Sequence, residues 1–370
     1  MTKRNMLKYI LLLMLLPLGI LLLYTSSQVP EVVEKAYSNA FFKFLGQLIS
    51  SITGILPFSL AEISLILLVL AILFYIMRTI VRLIKPVDSR LKTVFRFAIN
   101  ILISASIIYF SFVVLWGLNY SRLPFSTIAG LETHPASVNE LAEMCESLVI
   151  RTSEMRTRVN EDKNGVMALP KGKTEALKRA NKGYDNASKT YPQLGGRFGQ
   201  PKPVLLSELM CYTGITGVYF PFTAEANVNM ANNASMVPST ICHEMAHQRG
   251  FAREDEANFI AYLTCKAHPD TDFQYSGHLL ALLHSTDSLY RYDREKYYQL
   301  SAKYGAGVKR DINDINNFWK KYEGPVEKMS TSINNAYLKA NMQNDGVYSY
   351  GRMVDLLLAE YRIINAQPLK

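Results

Sequence analysis

The chain has 370 residues, of which 49% are hydrophobic and 19% charged, and its formal net charge is +9. Its apolar residues are concentrated in the first third, which predicts membrane spans in place of a larger soluble core. Most of the basic excess flanks these apolar runs, so the charge indicates a lipid bilayer as a partner and excludes a nucleic-acid binder, for which no motif is present.

Three apolar runs near the N-terminus are long enough to span a bilayer. The predicted spans cover residues 8–25, 59–78 and 97–118. The first run has no small-residue cleavage site after it, so we interpret it as an uncleaved anchor and not as a signal peptide. The sequence from Ser59 to Glu62 has the pattern of a capping box and should open the second span. A segment at 39–56 has apolar residues at helical spacing and is expected either to lie in the membrane interface or to pack on the spans.

The distribution of basic residues predicts the orientation of these spans. Lys and Arg are frequent in the N-terminus and in the loop at 78–96, and they are sparse in the loop at 25–58. The positive-inside rule therefore places the N-terminus in the cytoplasm. Three spans then place residues 121–370 outside the cytoplasm as a separate domain.

The domain at 121–370 is predicted to be mostly helical, with one clear strand. Residues 223–230 alternate between polar and apolar side chains without a break. The segments 203–209 and 218–222 are candidates for neighbouring strands. The predicted fold is therefore mainly α, with three transmembrane helices followed by an α+β domain that contains a small sheet.

A possible metal site follows this sheet at His243-Glu244-x-x-His247. Residues four apart on a helix share one face, so both imidazoles can reach one ion. Glu244 is offset around the helix, where it can act as general base on a water molecule. The pattern favours zinc, which requires one more protein ligand and an open position.

The third ligand is expected from the next helix. Gly250 suits the left-handed turn that ends a helix, and a second helix should begin near residue 252. On that helix Glu254 and Asn258 lie one turn apart on one face. Glu254 is the expected ligand, and Asn258 can accept the ring N–H of a ligand histidine. The gap after His247 is short, which leaves Glu256 as the alternative ligand.

This arrangement resembles the gluzincin metallopeptidases, in which HExxH is followed by Glu-x-x-[Ala/Ser]-Asp on the next helix. The matching residues are Glu254, Ala257 and Asn258, and the sequence departs from the pattern in having Asn where the family usually has Asp. Metzincins are excluded because Arg253 stands where their third histidine would be. With its spans, the chain further resembles an uncharacterised bacterial family of membrane-anchored zincin-like proteins.

The resemblance implies a zinc-dependent hydrolase of a peptide or protein substrate in the bacterial cytoplasmic membrane. In zincins an edge strand beside the HExxH helix pairs with the extended substrate, which implies substrate contacts for Glu225, Asn227 and Asn229. The alternative is that this strand is interior, with solvated polar side chains. The chemistry also needs a donor to the oxyanion, for which Tyr350 and Arg352 are the candidates.

Other functions remain open at this point. The chain could be a sensor or binding protein of the cell envelope that keeps the zinc fold as a scaffold, although a scaffold has no use for Glu244. It could also hydrolyse envelope amides other than peptides. Intramembrane proteolysis is disfavoured, because the motif lies in a polar region more than 100 residues after the last predicted span.

Overall fold

Helices make up most of the protein, which confirms the predicted mainly α fold. The computed structural model describes residues 3–85, 89–341, 343 and 352–366. The N-terminal part contains α1 (Lys3–Leu13), α2 (Leu15–Ser27), α3 (Pro30–Val32), a π-helix (Val33–Phe42), α4 (Lys43–Thr53), α5 (Leu60–Ile84) and α6 (Arg90–Leu115). The helices that follow are a 3-10 helix (Gly117–Ser121), α7 (Phe125–Ala129), α8 (Val138–Arg156), α9 (Lys173–Arg179), α10 (Asn181–Ala187), a 3-10 turn (Pro192–Leu194), α11 (Ser207–Cys211), α12 (Val237–Gln248), α13 (Glu254–Lys266), α14 (Thr271–Tyr292), α15 (Arg294–Ala302), α16 (Ala306–Lys320), α17 (Pro325–Ala340) and α18 (Met353–Ala366). The strands are β1 (Asn160–Glu161), β2 (Met167–Ala168), β3 (Lys202–Val204), β4 (Gly217–Phe220) and β5 (Glu225–Asn229).

Three helices of the described part are long and apolar enough to cross a membrane, as predicted. They are Met6–Ser27, Leu60–Ile84 and Arg90–Leu115. The second begins at its predicted cap, where the Ser59 hydroxyl accepts the backbone N–H of Glu62 at 2.9 Å. The third begins before residue 97, because Lys and Arg are good helix formers and continue the helix through the basic segment.

The ends of these spans are attached to the following domain by polar contacts. At the end of α2, the hydroxyls of Ser26 and Ser121 lie 2.8 Å apart. At the start of α5, the Glu225 carboxylate accepts the backbone N–H groups of Leu60 at 3.2 Å and Ala61 at 2.7 Å. The first N–H groups of a helix have no partner within the helix and carry partial positive charge, so a buried carboxylate stabilises this end.

The segment between the first two spans contains the amphipathic helix α4. Ser50 and Thr53 contact the domain, since Ser50 Oγ accepts from Gly199 N at 3.0 Å and Thr53 Oγ1 donates to the Thr223 carbonyl at 3.0 Å. The apolar residues Phe44, Leu48 and Ile52 are exposed. This arrangement favours the interfacial alternative, because an exposed apolar face beside membrane spans can enter the bilayer surface.

The three-stranded sheet has the order β3-β5-β4, with β3 parallel and β4 antiparallel to β5. The pairs Gly217↔Val228 and Phe220↔Glu225 set the register of β4. All five residues of β5 are buried. The expectation that this strand is an edge is therefore corrected: β5 is central, and β4 and β3 form the edges of this sheet.

The polar side chains of β5 bind within the protein, so their expected contacts with substrate are replaced by structural ones. Glu225 binds the start of α5, as described above. The side chain of Asn227 accepts the Ser59 hydroxyl at 2.6 Å, and the side chain of Asn229 donates to the Ile215 carbonyl at 3.0 Å. The alternation in the sequence reflects these buried hydrogen bonds, because a buried polar group is stable only with partners.

The main core lies between the sheet and the helices α8, α12, α13 and α14. Ile241 and Met245 of α12 and Phe259 and Ile260 of α13 are fully buried there. α12 is therefore held on its apolar face, which leaves the face that carries its histidines directed at α13.

Candidate metal centre

Two consecutive helices bring three possible metal ligands together. α12 ends at Gln248, Gly250 adopts a left-handed conformation with φ of 81°, and α13 begins at Glu254. The left-handed conformation favours glycine, and a Cβ at Gly250 would also lie in tight contact, 3.0 Å from the Phe42 ring and from Asn119 Oδ1. The tight reversal places the first residue of α13 against the histidines of α12.

The three ligand atoms form a compact triangle. The Nε2 atoms of His243 and His247 are 3.1 Å apart, and Glu254 Oε2 lies 3.1 Å from the first and 3.6 Å from the second. These residues are the one group of possible metal ligands found among the described residues. Ligand atoms at ~2.0–2.1 Å from a tetrahedral ion stand ~3.3 Å from one another, so the spacing fits zinc.

The hydrogen bond made by the Nδ1 atom of each histidine decides which ring nitrogen carries a proton. His247 Nδ1 lies 2.7 Å from the Phe251 carbonyl, and His243 Nδ1 lies 2.9 Å from Asn258 Oδ1. Both partners are acceptors, so each Nδ1 carries a proton and Nε2 is the nitrogen left to bind a cation. The two Nε2 atoms and a carboxylate oxygen then point at one spot, where a proton or a metal ion can lie between them.

The charges of the triangle agree with a cation site. Burial lowers the pKa of His247, but the charge and hydrogen bond of Glu254 outweigh burial and raise that pKa to about 9. Burial raises the pKa of Glu254, but the two histidines more than compensate and hold it well below its usual range. Glu254 is therefore ionised at neutral pH and attracts positive charge to the centre.

Glu244 lies beside the triangle without joining it. The residue is 3% exposed, and its Oε2 atom has no hydrogen-bond partner in the described structure. Burial raises its pKa to about 7, against the lowering effect of the two histidines. A buried carboxylate with a free oxygen and a pKa near neutrality is suited to accept and release a proton.

A cavity of about 520 Å³ opens over these residues. Its walls come from β4 and the preceding loop, from α14, α16 and α17, and from the residues after α6. Gly217 of β4 allows close approach to Glu244, because a Cβ at this position would lie 2.5 Å from Glu244 Oε1. The cavity therefore joins Glu244, the three candidate ligands and an edge strand.

Three residues that line this cavity were not predicted from the sequence. The hydroxyls of Tyr120 and Tyr337 lie 3.0 Å apart, and His284 of α14 also lines the cavity. Burial raises the pKa of both tyrosines and lowers that of His284 to about 4, so all three are neutral at pH 7. They lie far from the HExxH motif along the chain, and no local spacing connects them with it.

The remaining predicted site residues lie elsewhere. Glu256 Oε1 accepts the backbone N–H of Phe125 at 2.9 Å, so the alternative third ligand is turned away from the histidines. Arg352 lies 3.4 Å from Asp255, in a second cavity on the opposite face of α13. The expected oxyanion role of Arg352 is therefore corrected, and Tyr350 lies outside the described residues.

The centre lies directly at the end of the third span. The ring of Trp116, which follows α6, meets the His247 ring edge-on at 5.8 Å and the Tyr219 ring at 4.8 Å. The distance along the sequence, on which intramembrane proteolysis was disfavoured, is thus no guide to the distance in space.

Comparison with known proteins identifies a family but supplies no activity. No curated protein and no solved structure matches the chain. One family model, described as "Protein of unknown function (DUF3810)", matches residues 37–358 and so covers the second and third spans, α12 and α13, and most of the domain. The chain is a member of this family.

Proposed function

We propose that the protein is a membrane-anchored zinc-dependent peptidase whose catalytic domain lies outside the cytoplasm. The observation that carries the proposal is the convergence of His243, His247 and Glu254 beside Glu244, a buried carboxylate with an unpartnered oxygen. The basic residues around the spans support the extracytoplasmic location.

His243, His247 and Glu254 would hold the zinc, with Asn258 and the Phe251 carbonyl orienting the two rings. Zinc, when bound, supplies a Lewis acid that lowers the pKa of water towards about 7 and polarises a carbonyl. Glu244 takes the proton of the attacking water and delivers it to the leaving amine, for which its pKa of about 7 is well matched.

The oxyanion that develops on the substrate carbonyl needs a neutral donor. Tyr120 and Tyr337 lie in the same cavity and share one hydrogen bond, so one hydroxyl hydrogen of the pair can turn to the substrate. This role replaces the earlier assignment to Arg352.

A peptide substrate is favoured by the sheet. β4 pairs with β5 along one edge, and its other edge has no strand partner among the described residues. Gly217, Val218 and Tyr219 of β4 line the cavity beside Glu244. An extended peptide can add to such an edge through its backbone, which places a peptide carbonyl near the base.

A zinc scaffold without activity is the second candidate function, and the position of Glu244 argues against it. A scaffold has no use for a carboxylate that lies beside the three candidate ligands and lines their cavity.

The deciding experiment compares Glu244→Gln with Glu256→Gln in the full-length protein purified in detergent. We expect Glu244→Gln to keep one zinc per chain, measured by mass spectrometry of the metal, and to lose peptide hydrolysis by about 10²–10⁴-fold. Glu256→Gln changes a neighbouring buried carboxylate that faces away from the centre, and should keep turnover. Unchanged hydrolysis by Glu244→Gln, or wild-type protein that binds no zinc, would refute the proposal.

A further inference from the structure

The cavity over the metal centre is built directly on the membrane spans. His247 contacts Trp116 at the end of α6, and the neighbouring wall residue Tyr337 packs edge-on against Phe112, which lies inside that span, at 6.2 Å. The base of the cavity is therefore level with the last turn of a membrane-spanning helix.

The segment that leads along the chain into the cavity wall at 213–219 is attached to the start of another span. Glu62, in the first turn of α5, accepts the backbone N–H groups of Leu205 and Leu206, both at 2.8 Å. Leu205, Leu206 and Leu209 are all exposed to solvent. Because Glu62 holds this segment, three large apolar side chains stand beside the point where α5 leaves the membrane.

Helix α17 forms another wall of the cavity. Ser330, Asn334 and Tyr337 of this helix line the cavity, and Met329 and Ile333 are exposed on an adjoining face. Glu327 Cγ would lie 3.5 Å from a Cβ at Gly214, and the rings of Tyr212 and Tyr322 meet at 5.0 Å. The segment after α11 and helix α17 therefore meet beside the cavity, and each has a contact with a span.

We call the five large apolar residues exposed on these two segments the apolar rim; they are Leu205, Leu206, Leu209, Met329 and Ile333, each between 46% and 71% exposed. A large exposed apolar patch marks a contact with a partner or a membrane. Helix α4, on the connection that leads to α5, also exposes large apolar side chains.

We propose that the apolar rim rests in the bilayer interface, and that the cleft takes a polypeptide segment next to a membrane anchor as its substrate. The lipid bilayer is the occupant because the rim continues at both ends into the apolar surface of the spans. The nature of the substrate rests on the proposed peptidase function. The placement of the rim in the bilayer does not.

The placement is tested by depth measurements on the full-length protein in phosphatidylcholine vesicles. Leu209→Cys, Met329→Cys and Ile333→Cys are each labelled with a fluorophore, and quenching by spin labels on the lipid chains is measured. The four native cysteines are buried and give little background. Ile150→Cys is the control, since Ile150 is 63% exposed on α8.

We expect lipid-borne quenching at residues 209, 329 and 333, and none above background at residue 150. If the three rim labels are quenched no more than the control, the rim lies in water and the proposal is overturned, whatever the enzyme does.

The substrate class is tested with one cleavable peptide in two forms, free in solution and fused to a membrane-spanning segment in the same vesicles. Wild-type protein should cleave the anchored form at least about tenfold faster. Leu209→Glu and Met329→Glu should lose this advantage and keep the rate on the free peptide, because neither residue contacts the metal centre.

Equal rates on both forms, or an advantage that survives both Glu variants, would overturn the assignment of an anchored substrate while leaving the peptidase proposal intact. Absence of hydrolysis of both forms would refute the peptidase function and the substrate class together, and the quenching data would still decide where the rim lies.

Discussion

A buried ion pair connects the membrane region to the metal-site turn. Arg122, which is 1% exposed, donates to both oxygens of Glu34 at 2.8 Å. It also donates to the Gly250 carbonyl at 2.9 Å, and its guanidinium lies 4.0 Å from the centre of the Phe251 ring. Phe251 is the residue whose carbonyl accepts from His247, so this pair should support both folding and zinc binding.

Substitution of Arg122 by Met keeps the apolar volume and removes every donor. Glu34 would then be buried without a counter-charge, and the Gly250 carbonyl would lose a partner. Breaking one member of a buried pair costs about 3–5 kcal/mol. Since the turn that orients His247 is loosened as well, zinc affinity should fall by roughly tenfold.

Unfolding by denaturant of the detergent-solubilised protein measures the first effect. The two tryptophans of the chain, Trp116 and Trp319, both line the cavity, so fluorescence reports on this region. Competition with a chelator measures the second effect. The double variant Arg122→Met with Glu34→Gln should cost less than the sum of the single changes, because the second change removes the unpaired charge.

The control is Arg158→Met, which breaks an exposed pair with Glu154 and should cost at most about 1 kcal/mol. The buried pair does not couple the two regions if Arg122→Met destabilises the protein no more than this control. The same conclusion follows if the losses of stability in Arg122→Met and Glu34→Gln add up in the double variant.

Three further predictions follow from the site and its surroundings. Asn258→Ala should weaken zinc binding by about 10–100-fold in chelator competition, whereas Asn258→Asp, a stronger acceptor, should retain it; equal affinities for both would remove the orienting role. Gly217→Ala should displace Glu244, because the new Cβ would lie 2.5 Å from its Oε1, and therefore lower kcat with zinc retained; unchanged kcat would contradict the close approach. Burial lowers the pKa of His268, whose Nδ1 accepts the Asp270 N–H at 3.0 Å. As the pH falls, His268 is therefore protonated in the unfolded chain before it is protonated in the folded protein. The contribution of His268 to the free energy of unfolding is complete above pH ~6.5 and should decrease below it. The Tm at pH 7.5 and 5.5 measures this loss, which His268→Gln should reduce; an unchanged pH dependence would show that His268 does not cause it.

Much of the local structure can be read from neighbouring residues. The spans follow from long apolar runs, and the helix start at Leu60 follows from Ser59, whose hydroxyl accepts the expected N–H group. These features depend on contacts within a few residues, which is why spacing alone predicts them.

The position of β5 within the sheet could not be predicted from neighbouring residues. Its alternation predicts a strand, but the same pattern suits an exposed polar face or a face buried against polar partners. Glu225 proved to hold the start of α5, which lies more than 150 residues earlier in the chain. No local pattern identifies a partner at that distance.

By itself the sequence determined the elements and the chemistry available to them: three apolar spans, capped helices, and two histidines and a carboxylate spaced to meet across one turn. Helical periodicity and the preference of Gly250 for a left-handed turn are properties of short segments, so they need no knowledge of the rest. Only the tertiary structure decided that Glu254 and not Glu256 faces the histidines, that Tyr120, Tyr337 and His284 share their cavity, and that the centre lies at the end of α6. These relations arise from packing between distant segments, which depends on the shapes and contacts of whole helices and cannot be read from the spacing within one of them.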